Sequence, residues 1–262
     1  MAQRLVIVGG GRMGEALLGG LLAAGWDTDD LAVVEPVAGR REELTDRFPG
    51  LTTSAEALPA DGAVLAVKPA AVVPAAEAAV AAGVERLLSI AAGVPLATIE
   101  AVTGARPVVR AMPNTPALIG AGAAAIAAGA HAGVDDLAWA EEVLAAVGIV
   151  VRVPEHLLDA VTGLSGSGPA YVFLVAEALI EAGVLVGLPR PTAAALATQT
   201  LLGSARLLAE GDEGPEALRA AVTSPGGTTA AGLRVLEARG VRAAILDAVA
   251  SAAERSAELG RG

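Results

Sequence analysis

The sequence predicts an α/β domain followed by an all-helical domain, and three observations carry that expectation. Short, β-branched apolar runs alternate with helical stretches from residue 4 to residue 153, the pattern of a buried parallel sheet wound on both faces. A glycine-rich turn follows the first of these runs directly. After Pro154 the strand-like runs stop, and the rest of the chain reads as helices.

Length and composition agree with two domains. The chain has 262 residues, enough for two buried cores. It is 54% hydrophobic but only 2% aromatic, so its core is one of Ala, Val and Leu in close-packed helices. A formal charge of −11 with no basic run speaks against nucleic acid as a partner. The absence of cysteine excludes a disulfide framework or a thiolate metal site, and His131 and His156 are too far apart to suggest any metal. Strand-like sequence starts at Arg4, leaving no room for a signal peptide, and the apolar run from Pro116 to Ala130 is too short for a membrane span. The expectation is a cytoplasmic protein without a membrane partner. Lys68 is the only lysine among 18 basic residues, and Asn114 and Tyr171 are each the only one of their kind. In a chain drifting toward Arg and Ala, such singletons mark positions where chemistry resists replacement.

The elements follow in order. Leu5-Val6-Ile7-Val8 is a strand buried on both faces, and it runs into Gly9-Gly10-Gly11-Arg12-Met13-Gly14 and a helix over Glu15–Ala24. This is Gly-x-Gly-x-x-Gly in its strand–turn–helix context, the fingerprint of a Rossmann-like dinucleotide site. Gly9 makes the turn, Gly11 lets a pyrophosphate approach the backbone, and Gly14 lets helix and strand pack closely. The next strand ends at Glu35, where an acidic residue binds the adenosine ribose of NAD; Arg40 and Arg41 follow, suited to the 2′-phosphate of NADP. The sequence leaves the two cofactors open. The strand Gly62–Val67 ends at Lys68-Pro69, and Pro69 starts a helix reaching Ala82. The strand Leu87–Ile90 leads into Ala91-Ala92-Gly93, a small-residue turn that suits a nicotinamide ring lying against backbone. Ligands of parallel sheets bind beyond the carboxyl ends of strands, where all these residues fall. Arg106–Met112 is a further strand, followed by Pro113-Asn114-Thr115-Pro116, in which two prolines hold Asn114 in a rigid turn. Ala123–Gly129 has helical propensity but sits between glycines in an alternating pattern, which predicts a strand. A helix over Asp135–Val147 and a strand over Gly148–Val153 close the domain.

Beyond Pro154 the expected helices are 155–163, 168–186, 190–210, 215–221, 227–239 and 241–258. Ser167 is the expected N-cap of the second, with Pro169 in its first turn. Such apolar helices predict burial against a second subunit. Between the fourth and fifth lies Val222-Thr223-Ser224-Pro225-Gly226-Gly227-Thr228-Thr229, with every feature of an anion-binding turn: a fixed φ, two glycines, and hydroxyls beside a helix N-terminus. Ser224, Thr228 or Thr229 is expected to cap that helix.

Together these stretches resemble the pyrroline-5-carboxylate reductase family. The matches are Gly9–Gly14, Ala66-Val67-Lys68-Pro69, Ser89–Gly93, Arg110–Pro116, Gly163–Tyr171 and Val222–Thr229, in the family's order and over nearly the whole chain. The resemblance implies domains at 1–153 (dinucleotide-binding) and 154–262 (helical, substrate-binding and dimerising). It implies hydride transfer from NADPH or NADH to C5 of 1-pyrroline-5-carboxylate, giving L-proline, in a homodimer that assembles into larger rings such as a decamer. By position, Ser224, Gly226, Gly227, Thr228 and Thr229 would cradle the substrate carboxylate, with Thr228 relaying the proton. Gly9, Gly11, Arg12, Met13, Gly14, Glu35, Ala66, Val67, Lys68, Pro69, Ala91, Ala92, Gly93 and Asn114 would line the cofactor. Glu35 departs from members that carry small or polar residues there.

Two other readings are a hydroxyacid dehydrogenase of the same domain order and, from a different class, a non-catalytic dinucleotide-binding sensor or scaffold. A hydroxyacid dehydrogenase would use a lysine in the helical domain, and no lysine follows residue 68. A non-catalytic dinucleotide sensor would have no use for the hydroxyl-rich turn at 223–229.

Overall fold

A computed structural model describes residues 3–261; the expected domain limits at residues 1 and 262 lie outside the described residues. Contacts divide the chain into two units. One runs to Ser167 and resumes at Ala250; the other is Gly168–Val249.

The first unit alternates strands and helices: β1 (Gln3–Val8), α1 (Arg12–Ala23), β2 (Leu31–Val34), α2 (Ala38–Arg47), β3 (Thr52–Ser54), β4 (Ala60–Leu65), α3 (Val72–Ala81), β5 (Arg86–Ser89), α4 (Leu96–Thr103), β6 (Val108–Met112), β7 (Gly122–Ala128), α5 (Val134–Ala145), β8 (Gly148–Arg152) and the short α6 (Leu158–Val161). Among the described residues they form one eight-stranded sheet in the order β3-β2-β1-β4-β5-β6-β7-β8. The order reverses between β1 and β4, so the crevice of this Rossmann-like sheet opens at the carboxyl ends of those two strands.

The apolar run of β1 is buried on both faces, as its composition requires. Leu5 and Ile7 face a cluster with Leu17, Leu18 and Leu21 of α1 and Val143 of α5. Val6 faces the opposite cluster, with Val72 and Ala76 of α3 and Ile99 of α4. The alanine-rich stretch is a strand, β7, but it runs antiparallel to β6, against the expectation of a parallel sheet. The link from β6 to β7 holds only a 3-10 turn, Thr115–Ile119, and a parallel return needs a longer crossover. The three-residue edge strand β3 and helix α4 go beyond the elements legible in sequence.

Helices α7 (Gly168–Leu185), α8 (Arg190–Glu210), α9 (Pro215–Ala221), α10 (Thr228–Ala238) and α11 (Val241–Arg261) complete the chain. One expectation fails at the start of α7. Ser167 has helical dihedrals (φ −84°, ψ −20°) and caps nothing; the chain passes through it by a π turn, Thr162–Gly166, closed by the Ser167 N–H donating to the Thr162 carbonyl at 2.8 Å. Small residues permit this widened turn; a Cβ on Gly166 would lie 2.5 Å from Met112 Cε, the far end of a flexible side chain. The resulting helical run Glu155–Leu185 is long and apolar enough in composition to cross a membrane, a longer stretch than the 116–130 run that the sequence suggested. Within the second unit α7 lies on α8 with Gly183 against Ala193, while Phe173, Leu174, Leu185 and Val186 are exposed.

Leu88, fully buried in the cluster beneath α1 and α5, tests the core directly. Leu88→Ala is expected to lower unfolding free energy by about 2–5 kcal/mol with an unchanged urea m-value, read from the denaturation midpoint.

Candidate functional site

The site begins with backbone geometry at the switch point. Gly9 has φ +109°, and a Cβ on it would lie 2.5 Å from the Ala66 carbonyl oxygen. A Cβ on Gly14 would collide with the Gly9 carbonyl. Neither residue tolerates a side chain, and together they bring β1, β4 and the start of α1 into contact. Gly11 differs: nothing lies within 4 Å of the place its Cβ would take. It is also the N-cap of α1 and offers no side chain to cap it, so the first-turn N–H groups of Arg12, Met13 and Gly14 face an open approach. Such a helix start attracts phosphate. Met13 turns its side chain to the core, and Arg12 is exposed. These features fit a dinucleotide's pyrophosphate.

Glu35 stands at the end of β2 and is bound to the glycine turn. Its carboxylate accepts the Gly10 N–H at 3.0 Å and the Val37 N–H at 3.0 Å. Arg40 and Arg41, read from the sequence as suited to a 2′-phosphate, make their contacts within the protein. Arg40 donates to the Gly10 carbonyl at 2.7 Å and pairs with Glu15 and Glu43. The hydrogen bonds that Arg40 donates, to Glu43 first and then to Glu15, hold its guanidinium above its ordinary pKa. Arg41 donates to the Glu35 carbonyl at 2.7 Å.

The next candidates follow β4 and β5. The Ala66 N–H donates to the Val8 carbonyl at 2.8 Å, so Ala66 and Val67 adjoin the glycine turn, and Lys68 is exposed ahead of a 3-10 turn from Pro69 to Ala71. Ala91 is buried, Ala92 exposed, and Gly93 takes φ +73°. A cavity of about 390 Å³ joins Pro69, Ala92 and Gly93 to Thr162 and Ser167 of the π turn. Its remaining wall, which includes Arg255 and Ser256, comes from the end of α11. Sequence reasoning missed those residues, because nothing local to them signals a site. Asn114 links two of these parts: its Oδ1 accepts the Ala123 N–H at 2.9 Å and its Nδ2 donates to the Ser165 carbonyl at 3.1 Å. It braces the π turn against β7.

The turn 222–229 belongs to the second unit. Gly226 takes φ +71°, and the Gly227 N–H donates to the Ser224 carbonyl at 3.0 Å. That hydrogen bond closes the turn early and makes Gly227 the N-cap of α10, with no side-chain cap. The expected capping by Ser224, Thr228 or Thr229 is therefore corrected: among the described residues no side chain caps α10, which opens at Thr228 and Thr229. Thr223 is excluded from this cluster, its hydroxyl donating to the Arg219 carbonyl at 2.6 Å.

A phosphate-binding turn at the switch point of a Rossmann-like sheet, with helices after it, defines a dinucleotide-dependent oxidoreductase of the two-domain kind. Residues 4–93 match the family model described as NADP oxidoreductase, coenzyme F420-dependent, and residues 155–259 match pyrroline-5-carboxylate reductase dimerisation. A pyrroline-5-carboxylate reductase of Synechocystis is 47% identical over the whole of both chains. The solved structure of the Coxiella burnetii reductase superposes with TM-score 0.93 at 36% identity, covering 99% of each chain. A Plasmodium falciparum pyrroline carboxylate reductase with NADP bound gives TM-score 0.84 at 30% identity over 98% of each. The chain belongs to the pyrroline-5-carboxylate reductase family.

Asn114→Ala removes the partner of the Ala123 N–H and of the Ser165 carbonyl. It is expected to cost about 1–3 kcal/mol in a denaturant titration.

Proposed function

We propose that this chain reduces 1-pyrroline-5-carboxylate to L-proline with NADH or NADPH. The observation that carries the reading is membership of this family over the whole chain, together with two glycine-capped helix starts at the positions the family resemblance marks. One follows the glycine turn and suits a pyrophosphate; the other follows 224–227 and suits a carboxylate.

Reduction of the C5=N bond adds a hydride to carbon and a proton to nitrogen. The dihydronicotinamide, when bound, supplies the hydride. Gly9, Gly11, Arg12, Met13 and Gly14 hold the pyrophosphate through backbone, and Ala66–Pro69 with Ala91–Gly93 line the nicotinamide half. Asn114 serves them by bracing the π turn. Ser224, Gly226, Gly227, Thr228 and Thr229 cradle the carboxylate, and the Thr228 hydroxyl hydrogen-bonds the ring nitrogen and relays a solvent proton to it, taking one up as it passes one on. An imine is readily protonated, so orientation and neutralisation of the carboxylate supply most of the acceleration.

Glu35 favours NADH: its carboxylate occupies the end of β2, and Arg40 and Arg41 are committed to protein oxygens rather than to a 2′-phosphate. The apolar faces of α7, α8 and α11 form a homodimer, the basis for larger rings such as a decamer. That contact accounts for the apolar helical run at 155–185 without a membrane, and the protein works in the cytoplasm. The domain division we propose remains 1–153 for the cofactor and 154–262 for substrate and dimerisation.

The direct test follows NAD(P)H absorbance with pyrroline-5-carboxylate beside a hydroxyacid panel; no oxidation with the imine by either cofactor refutes the activity. Thr228→Ala is expected to lower kcat about a hundredfold while the NAD(P)H Kd is unchanged. Loss of cofactor binding in that variant would remove the turn from the substrate site. Glu35→Ser is expected to shift the NADPH/NADH ratio of kcat/KM upward about tenfold, and an unchanged ratio takes Glu35 out of the ribose site.

A further inference from the structure

Arg110 is a buried cation that the reduction step does not use. It stands in β6 between the buried residues Val109 and Ala111 and is 8% exposed. Its Nη1 donates to Glu155 Oε1 at 2.9 Å, and the same oxygen accepts the Leu96 N–H at 2.7 Å. Leu96 is the first residue of α4, and Glu155 opens the 3-10 turn that leads through α6 into the π turn. The N-cap of α4, Pro95, offers no side-chain cap, so a carboxylate 59 residues along the chain takes that role. One oxygen thereby ties together β6, the start of α4 and the start of the helical run at Glu155.

We propose that Arg110 and Glu155 are positioning residues that hold the Ala91–Gly93 turn against the nicotinamide end of the bound coenzyme. The inference rests on the cofactor role proposed for that turn and deepens it. The turn's entry is pinned by the Ile90 N–H donating to the Leu65 carbonyl at 3.2 Å. Its exit is pinned by Glu155 at Leu96. Thr162 and Ser167, downstream of Glu155, line the same cavity as Ala92 and Gly93, so the ion pair sits where both walls of that cavity begin. A buried ion pair is weak as a source of stability, and apolar residues of similar volume often replace one without loss. What this pair supplies is geometry, since an oxygen shared by two donors from different segments fixes their spacing. The pyrophosphate is held separately, at the glycine turn after β1, so loosening the pair loosens the nicotinamide half alone.

The test compares calorimetric binding of NADH with that of ADP-ribose, which keeps the adenosine and pyrophosphate but lacks the nicotinamide; NADPH with 2′-phospho-ADP-ribose forms a parallel arm. Glu155→Ala is expected to raise the NADH Kd about tenfold and leave the ADP-ribose Kd unchanged. Glu155→Gln keeps an oxygen for both donors and should recover most of that loss. The double variant Arg110→Met, Glu155→Leu leaves no charge buried; it should keep the wild-type unfolding midpoint and still show the loss for NADH alone. Equal weakening of NADH and ADP-ribose, or an unchanged NADH Kd in the double variant, would overturn the assignment. A double variant that does not fold overturns it too, because the pair is then structural. The imine enters none of these measurements, so a wild type that oxidises no coenzyme with pyrroline-5-carboxylate refutes the reductase reading while the binding comparison still decides the role of the pair.

Discussion

The close approach of three backbone segments at the switch point governs the rest of the first unit. Gly9 lies against the Ala66 carbonyl and Gly14 against the Gly9 carbonyl, so β1, β4 and α1 meet with no side chain between them. That contact fixes the angle at which α1 leaves the sheet, and so decides that Leu17, Leu18 and Leu21 land on the face carrying Leu5 and Ile7. The same turn is held from the β2 side, where Glu35 accepts from the Gly10 N–H and Arg40 donates to the Gly10 carbonyl. Core packing, the open helix start and the charge network around the ribose end are therefore one coupled structure. A side chain at either glycine would disturb all three.

What was legible in the sequence divides along this line between local and distant causes. The glycine turn could be read because its requirement is local: a strand that must turn sharply into a helix needs glycine wherever backbones touch. The burial of β1 on both faces followed from an unbroken β-branched run. The direction of β7 did not, since it depends on the short 3-10 link after β6 and not on the composition of the strand. At 224–229 the hydroxyls are plain in the sequence, but the expected capping by them does not occur. Gly226 in a left-handed conformation and the bond from the Gly227 N–H to the Ser224 carbonyl start the helix at a residue with no side chain. Glu35 was located at a strand end by spacing, yet spacing cannot say that its oxygens are taken by Gly10 and Val37. The α11 wall was invisible for the plainest reason: Ser256 meets Asp159 across 97 residues of chain.

The two proposed anion sites use one physical device twice. In each, glycine stands at the N-cap, no side chain occupies the first-turn donors, and the helix dipole adds to them. A serine or aspartate in place of the glycine at either cap would stabilise the helix by only about a few tenths of a kcal/mol. Leaving the caps bare forgoes that stability in exchange for donors aimed outward, which is what a site binding phosphate and carboxylate needs.

The second unit makes sense only with its apolar faces covered. Phe173, Leu174, Leu185, Val186 and Leu246 are exposed, several of them more than 60%, in a region matching a dimerisation family. Isolated soluble chains rarely carry contiguous apolar surface on that scale. The proposed homodimer would cover this exposed surface with the same helices of the second copy. The net charge of −11 by itself opposes association. Like charge keeps copies apart in general, so association is directed to the faces where charge is sparse, and α7, with Glu177 and Glu181 as its acidic residues, is such a face.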